Sequence, residues 1–231
     1  MVVTQDIWPG VEQATRAARD VLLHNLHGPC AGLPRTAGWG YPEPYTRDLL
    51  LAALAPLATR DEQLLASLRE VLETLARHQS PRGMMPSVVH DPGNLGASDT
   101  TPLFLMVLAF YRRVTGEAGF LQAAAEKALV WVDYRSCEDS VIVEQQPTTD
   151  WRDELWVSGY GLYVNTLVYT YLRLFAAQEK ARRLYDRMHL CAATEAGSPA
   201  SASRACCCRP AHTSPCGRSR STAANVSISW A

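Results

Sequence analysis

Three aspartates, Asp48, Asp99 and Asp150, stand 51 residues apart along the chain (48, 99, 150). Each lies in or beside a loop crowded with aromatic and charged residues. The first holds Trp39, Tyr41, Glu43, Tyr45 and Arg47, and the second His90, Asp91 and Asn94. The third holds Trp151, Arg152, Asp153, Glu154 and Trp156. Aromatic faces stack on the C–H surface of a sugar ring, while carboxylates and guanidinium groups hydrogen-bond its hydroxyls. These residue types therefore suit a polyhydroxylated ligand. A carboxyl kept protonated among them would add general acid chemistry. Plainer roles compete, because Asp, Ser and Thr cap helices and Trp fills cores. Thr46 and Ser158 read as caps. Asp99 reads both as an acid and as the cap of a helix starting at Thr100. In residues 150–154 so many charges between aromatics fit a binding surface better than a core.

For such loops to meet, regular elements must carry them. Residues 11–27 read as an amphipathic helix ended by Gly28-Pro29. An apolar helix follows from Thr46 to about Ala58, and Asp61 opens a more polar one to about Gln79. After a Gly- and Pro-rich loop, 80–98, residues 100–114 are nearly all apolar and 118–134 more amphipathic. A short strand-like stretch, 140–144, precedes the loop 145–157. Residues 158–177 then read as a long apolar and aromatic helix, and 178–189 as a polar, basic one. A period near 50 residues built from two helices marks a repeat architecture. The expectation is an all-α fold whose apolar helices are buried while their partners face solvent. Stacked hairpins give an open solenoid or a closed α/α toroid. Either way the loops entering the inner helices collect at one end, with helix N-termini aimed at the same space.

Composition bounds the rest. With 47% hydrophobic residues the chain has ample core material, which excludes disorder as its main state. A net charge of −1 argues against a general nucleic-acid binder. No uncharged apolar run reaches the about 18 residues of a membrane span, and residues 1–10 lack a signal-peptide pattern. A cytosolic protein is expected. Residues 191–231 differ from the rest: they carry five of the seven cysteines and no Leu, Met, Phe or Tyr. Such a segment cannot offset its ordering entropy, and it is expected to be a disordered tail. Its abrupt start reads as out-of-frame translation of a high-GC gene, consistent with Lys127 and Lys180 being the only lysines among 22 basic residues. Cys208, His212 and Cys216 lack the paired spacing of a zinc site, so no metal or other cofactor is expected.

Four short motifs carry a resemblance. They are Tyr45-Thr46-Arg47-Asp48, Gly83-Met84-Met85-Pro86 with His90 and Asp91, Ser98-Asp99-Thr100-Thr101-Pro102-Leu103-Phe104, and Asp150-Trp151-Arg152-Asp153-Glu154 followed by Gly159-Tyr160. In register with the hairpin repeat over roughly residues 40–178, they resemble the six-hairpin glycosidases. Within that group they are most similar to the amylo-α-1,6-glucosidase-like proteins and the neutral/alkaline invertases. The resemblance implies an (α/α)6 toroid, here an incomplete ring of about three hairpins over residues 1–190. It implies an inverting glycoside hydrolase acting on α-glucosidic bonds, with Asp99 as general acid. Trp39, Tyr45, Arg47, Asp48, His90, Asp150, Trp151, Arg152 and Glu154 would then bind the saccharide. Inversion needs a second carboxylate about 6.5–9.5 Å away. In the resembling families that base sits on a later hairpin, and after Leu190 the only acidic residue is Glu195. This chain is therefore expected to be inactive by itself. Half a ring also leaves an apolar flank, which predicts self-association. A non-catalytic helical scaffold or carbohydrate-binding module is the competing reading. A terpene-cyclase toroid is disfavoured because no DDxxD or DxDD cluster occurs.

Overall fold

The computed structural model of the chain describes residues 9–38, 40–136, 141–152 and 154–195. The described residues form eight helices and no named strand, so the fold is all-α. They are α1 (Pro9–His24), α2 (Thr46–Ala52), α3 (Leu54–Thr59), α4 (Glu62–Arg77), α5 (Thr100–Thr115), α6 (Gln122–Tyr134), α7 (Leu162–Leu174) and α8 (Gln178–Glu195). None is long and apolar enough to cross a membrane.

α5 is the centre of the fold. Its side chains from Thr100 to Ala109 are buried without interruption, and Leu103, Phe104, Leu105, Val107 and Leu108 are all 0% exposed. At about 1.5–3 kcal/mol for each fully buried large apolar side chain, this one helix supplies a large share of the hydrophobic stabilisation. It packs against α2, α3, α6 and α7. α4 backs α3, and α8 backs α7. The expected division into enclosed and amphipathic helices therefore holds fully for α5. It holds less well for α2 and α7. α2 leaves Asp48 and Leu51 exposed, and α7 leaves Leu162, Thr166 and Arg173 exposed.

Several boundaries differ from the sequence reading, each for a local reason. The helix expected over residues 46–58 is two helices. Pro56 has no N–H to offer the carbonyl of Ala52, and α2 ends there. Thr46 is not a cap: Tyr45 holds the N-cap position of α2, and the buried Thr46 hydroxyl donates to the Pro86 carbonyl at 2.8 Å. Ser158 is not a cap either. Gly159 adopts φ +97°, a left-handed conformation that breaks the helical run, and α7 begins only after Gly161. Asp61 does cap α4, accepting from the backbone N–H groups of Gln63 and Leu64 at 3.1 Å. The strand-like stretch reduces to isolated antiparallel bridges, Ser136 with Val143 and Gln145 with Gly159. α8 runs five residues past Leu190, to Glu195, so regular structure extends into the start of the segment expected to be disordered. The rest of that segment, 196–231, lies outside the described residues.

Candidate functional site

The loops that precede α2, α5 and α7 are stitched together. Residues 44–46 pair with 87–89: the Thr46 N–H donates to the Ser87 carbonyl at 2.8 Å and the Val89 N–H to the Pro44 carbonyl at 2.9 Å. The second loop is tied to the third in the same way. The Ser98 N–H donates to the Thr149 carbonyl at 2.7 Å, and the two hydroxyls of Ser98 and Thr149 share a bond of 2.6 Å. The Gln146 N–H also donates to the Ser98 hydroxyl at 3.0 Å. The N-terminal ends of α2, α5 and α7 are thereby held side by side.

Two short ion pairs form in this stitched region. Arg47, in the first turn of α2, donates from Nε to Asp99 Oδ2 at 2.6 Å and from Nη2 to Oδ1 at 3.4 Å. Asp99 occupies the N-cap position of α5, but its side chain makes no capping bond. The cap-only reading of Asp99 therefore fails, because Arg47 takes both carboxylate oxygens. Asp99 is 0% exposed. Burial pushes its carboxyl above the usual aspartate range, and Arg47 and the Tyr163 hydroxyl hold it back only in part. Burial works against the charge of Arg47 too, yet the bond to Asp99 keeps it above its ordinary value.

The second pair folds one loop. Asp150 is 1% exposed. Its Oδ2 accepts from Arg152 Nη2 at 2.6 Å, and its Oδ1 accepts from the Arg152 backbone N–H at 2.7 Å. Burial alone would raise the Asp150 carboxyl, but the bonds from Arg152 hold it below the usual range. Arg152 keeps 28% of its side chain exposed and lies 5.7 Å from the centre of the Trp151 ring, which is itself 59% exposed. A cation over an indole face and an open second face make a platform on which a ring can stack.

Tyr163, in the first turn of α7, stands near both pairs. Its phenol is raised far above the ordinary tyrosine value, first by burial and then by the charge of Asp99, with Asp150 adding to it. Its hydroxyl is shielded from solvent, beside the Asp99 carboxylate. Sequence reasoning missed Tyr163 because it sits inside an apolar, aromatic helix. The only available signal was its position one residue after Leu162, at the mouth of that helix.

The remaining predicted residues are placed less closely. Tyr45 is 36% exposed and forms the bridge with Val88. Asp48 and Glu154 are exposed carboxylates on the first and third elements of the region. His90 is half-buried in the second loop, where its Nδ1 has no partner among the described residues. Trp39 and Asp153 lie outside the described residues. The structure thus brings Arg47, Asp99, Tyr163, Asp150, Arg152 and Trp151 into one neighbourhood. No protein-family model matches the chain, and no curated protein matches it.

Proposed function

We propose that residues 40–178 form part of an (α/α)6 glycosidase-like domain and bind an α-linked glucoside at the mouths of α2, α5 and α7. One observation carries the reading. Arg47, Asp99, Tyr163 and the Asp150–Arg152 pair arrive from three successive loop–helix junctions, beside an exposed Trp151 ring. Convergence of this kind is what a saccharide subsite requires: carboxylates and guanidinium groups for hydroxyls, and an aromatic face for the ring.

Within that reading Asp99 is the acid. Burial raises this carboxyl, the direction a proton donor needs, and displacement of Arg47 would expose it to a glycosidic oxygen. Asp48 and Glu154, the solvent-facing carboxylates, bind rather than activate water, so the chain binds saccharide without turning it over. Leu162, 72% exposed at the start of α7, lies on the flank through which copies associate, which gel filtration over a concentration series measures.

One observation favours the scaffold reading instead: Asp99 is wholly buried and already satisfied by Arg47, as a strut between helices would be. Backbone amide shifts during titration with the iminosugar deoxynojirimycin separate the two. The saccharide reading expects shifts confined to residues 45–48, 98–100 and 150–163. No shift with any saccharide would leave the scaffold.

A further inference from the structure

Gln145 is neutral, precedes the charged loop, and is 1% exposed. Its place is fixed from two directions. Its backbone exchanges both bonds with Gly159, N–H to carbonyl at 2.7 Å and the return bond at 3.1 Å. The preceding strand of chain is pinned to α7 by Asn165, whose Oδ1 accepts from the Val143 N–H at 2.8 Å and whose Nδ2 donates to the Val143 carbonyl at 3.0 Å. From this anchored backbone, Gln145 Nε2 donates to Asp150 Oδ2 at 2.7 Å and to the Val157 carbonyl at 3.3 Å.

We propose that Gln145 is a positioning residue, which orients the Asp150–Arg152 pair and so sets where Trp151 and Arg152 stand at the surface. The consequence for a ligand rests on the saccharide reading above. Asp150 and Arg152 are two residues apart and satisfy each other's charge wherever their loop moves. What they cannot supply is a reference to the rest of the fold. Among the described residues, Gln145 is the one donor to the Asp150 carboxylate outside the tight turn 150–152. Losing it leaves the ion pair intact and the direction of the carboxylate free.

Gly161 gives independent support. Its φ of −63° and ψ of 134° suit any residue, so backbone strain does not demand glycine there. Space does: a Cβ at Gly161 would overlap the Gln145 amide oxygen. The start of α7 is thus shaped around the Gln145 side chain.

The test uses the full chain labelled with fluorotryptophan, the Trp151 fluorine signal being assigned with Trp151→Phe. Gln145→Leu and Gly161→Ala should each move and broaden that signal, and the double variant should add nothing further. Deoxynojirimycin binding should weaken about tenfold in each, the loss of one hydrogen bond to a charged group. Gln145→Glu separates positioning from bulk. Its new carboxyl would face Asp150, Arg152 and the Val157 carbonyl, with Tyr163 near Asp150. Burial and the Asp150 charge raise that carboxyl, and only its protonated form donates. The Trp151 signal should therefore return to the wild-type position in mild acid and depart as pH rises, while wild type stays constant. If Gln145→Leu does not fold, Gly161→Ala and Gln145→Glu carry the same readout. A Trp151 signal untouched by these variants overturns the proposal, as does Gln145→Glu without acid recovery. Fluorine responses as expected, with no deoxynojirimycin bound by wild type, would uphold the positioning role and sink the saccharide reading.

Discussion

The Arg47–Asp99 and Asp150–Arg152 pairs share a shortest distance of 2.6 Å and a nearly inaccessible carboxylate, yet they do different work. The first joins two helices across 52 residues of sequence, and the second folds a turn between residues two apart. Arg47 is 19% exposed and has little water to fall back on, whereas Arg152 is 28% exposed and reaches the surface. An ion pair between distant elements is a tertiary restraint. One inside a turn is a local shape, and its position depends on what anchors the turn. The first pair should therefore govern global stability and the second the presentation of the Trp151 face.

The largest expected effect comes from breaking the first pair on one side. Arg47→Met leaves Asp99 buried and unpaired, and should destabilise the chain by about 3–5 kcal/mol in urea unfolding. Adding Asp99→Leu should restore most of that loss, because two apolar side chains need no partner. Asp150→Ala should cost less, about 1–2 kcal/mol, since Arg152 can turn to solvent. Its signature should be local, with faster amide exchange in residues 145–157 and little change in the exchange of α5.

The two carboxyls also give opposite pH responses. Asp150 is depressed in the folded state, so its contribution is complete above the ordinary aspartate value of about 3.9 and is lost as pH falls through the depressed one. Asp99 is raised, so folding favours its protonated form. That contribution is present below the ordinary value and is lost as pH rises through the raised one. In melting curves across pH, Asp150→Asn should flatten the acid limb and Asp99→Asn the limb above it. Identical slopes in both variants would dissolve the distinction between the pairs. The smallest effect on stability belongs to Trp151→Ala. The ring is 59% exposed, and its removal should change unfolding by no more than about 0.5 kcal/mol while abolishing saccharide binding.

What the sequence disclosed follows the same divide between local and tertiary causes. α5 was legible because a run of apolar residues from Thr100 onward admits no solvent face, and Asp61 because its cap is closed by the next three residues. Thr46 misled because its hydroxyl is spent on Pro86, 40 residues away, a bond no local rule anticipates. Ser158 misled because the backbone at Gly159 turns left-handed and postpones the helix. The spacing of Asp48, Asp99 and Asp150 drew attention to three loops but said nothing of the pairing. Asp99 chose Arg47 of α2 rather than its own helix, and Asp150 chose Arg152. Tyr163 and Gln145 stayed hidden because an aromatic in an apolar helix and an amide beside a loop have many commoner uses.

Calorimetric titration of the chain with deoxynojirimycin, beside Trp151→Ala, separates a saccharide site built on the Trp151 face from a scaffold. The wild type should show saturable one-site binding, lost in Trp151→Ala with the melting curve unchanged. Binding that survives Trp151→Ala, or a wild type that binds no saccharide at all, would contradict a saccharide site there.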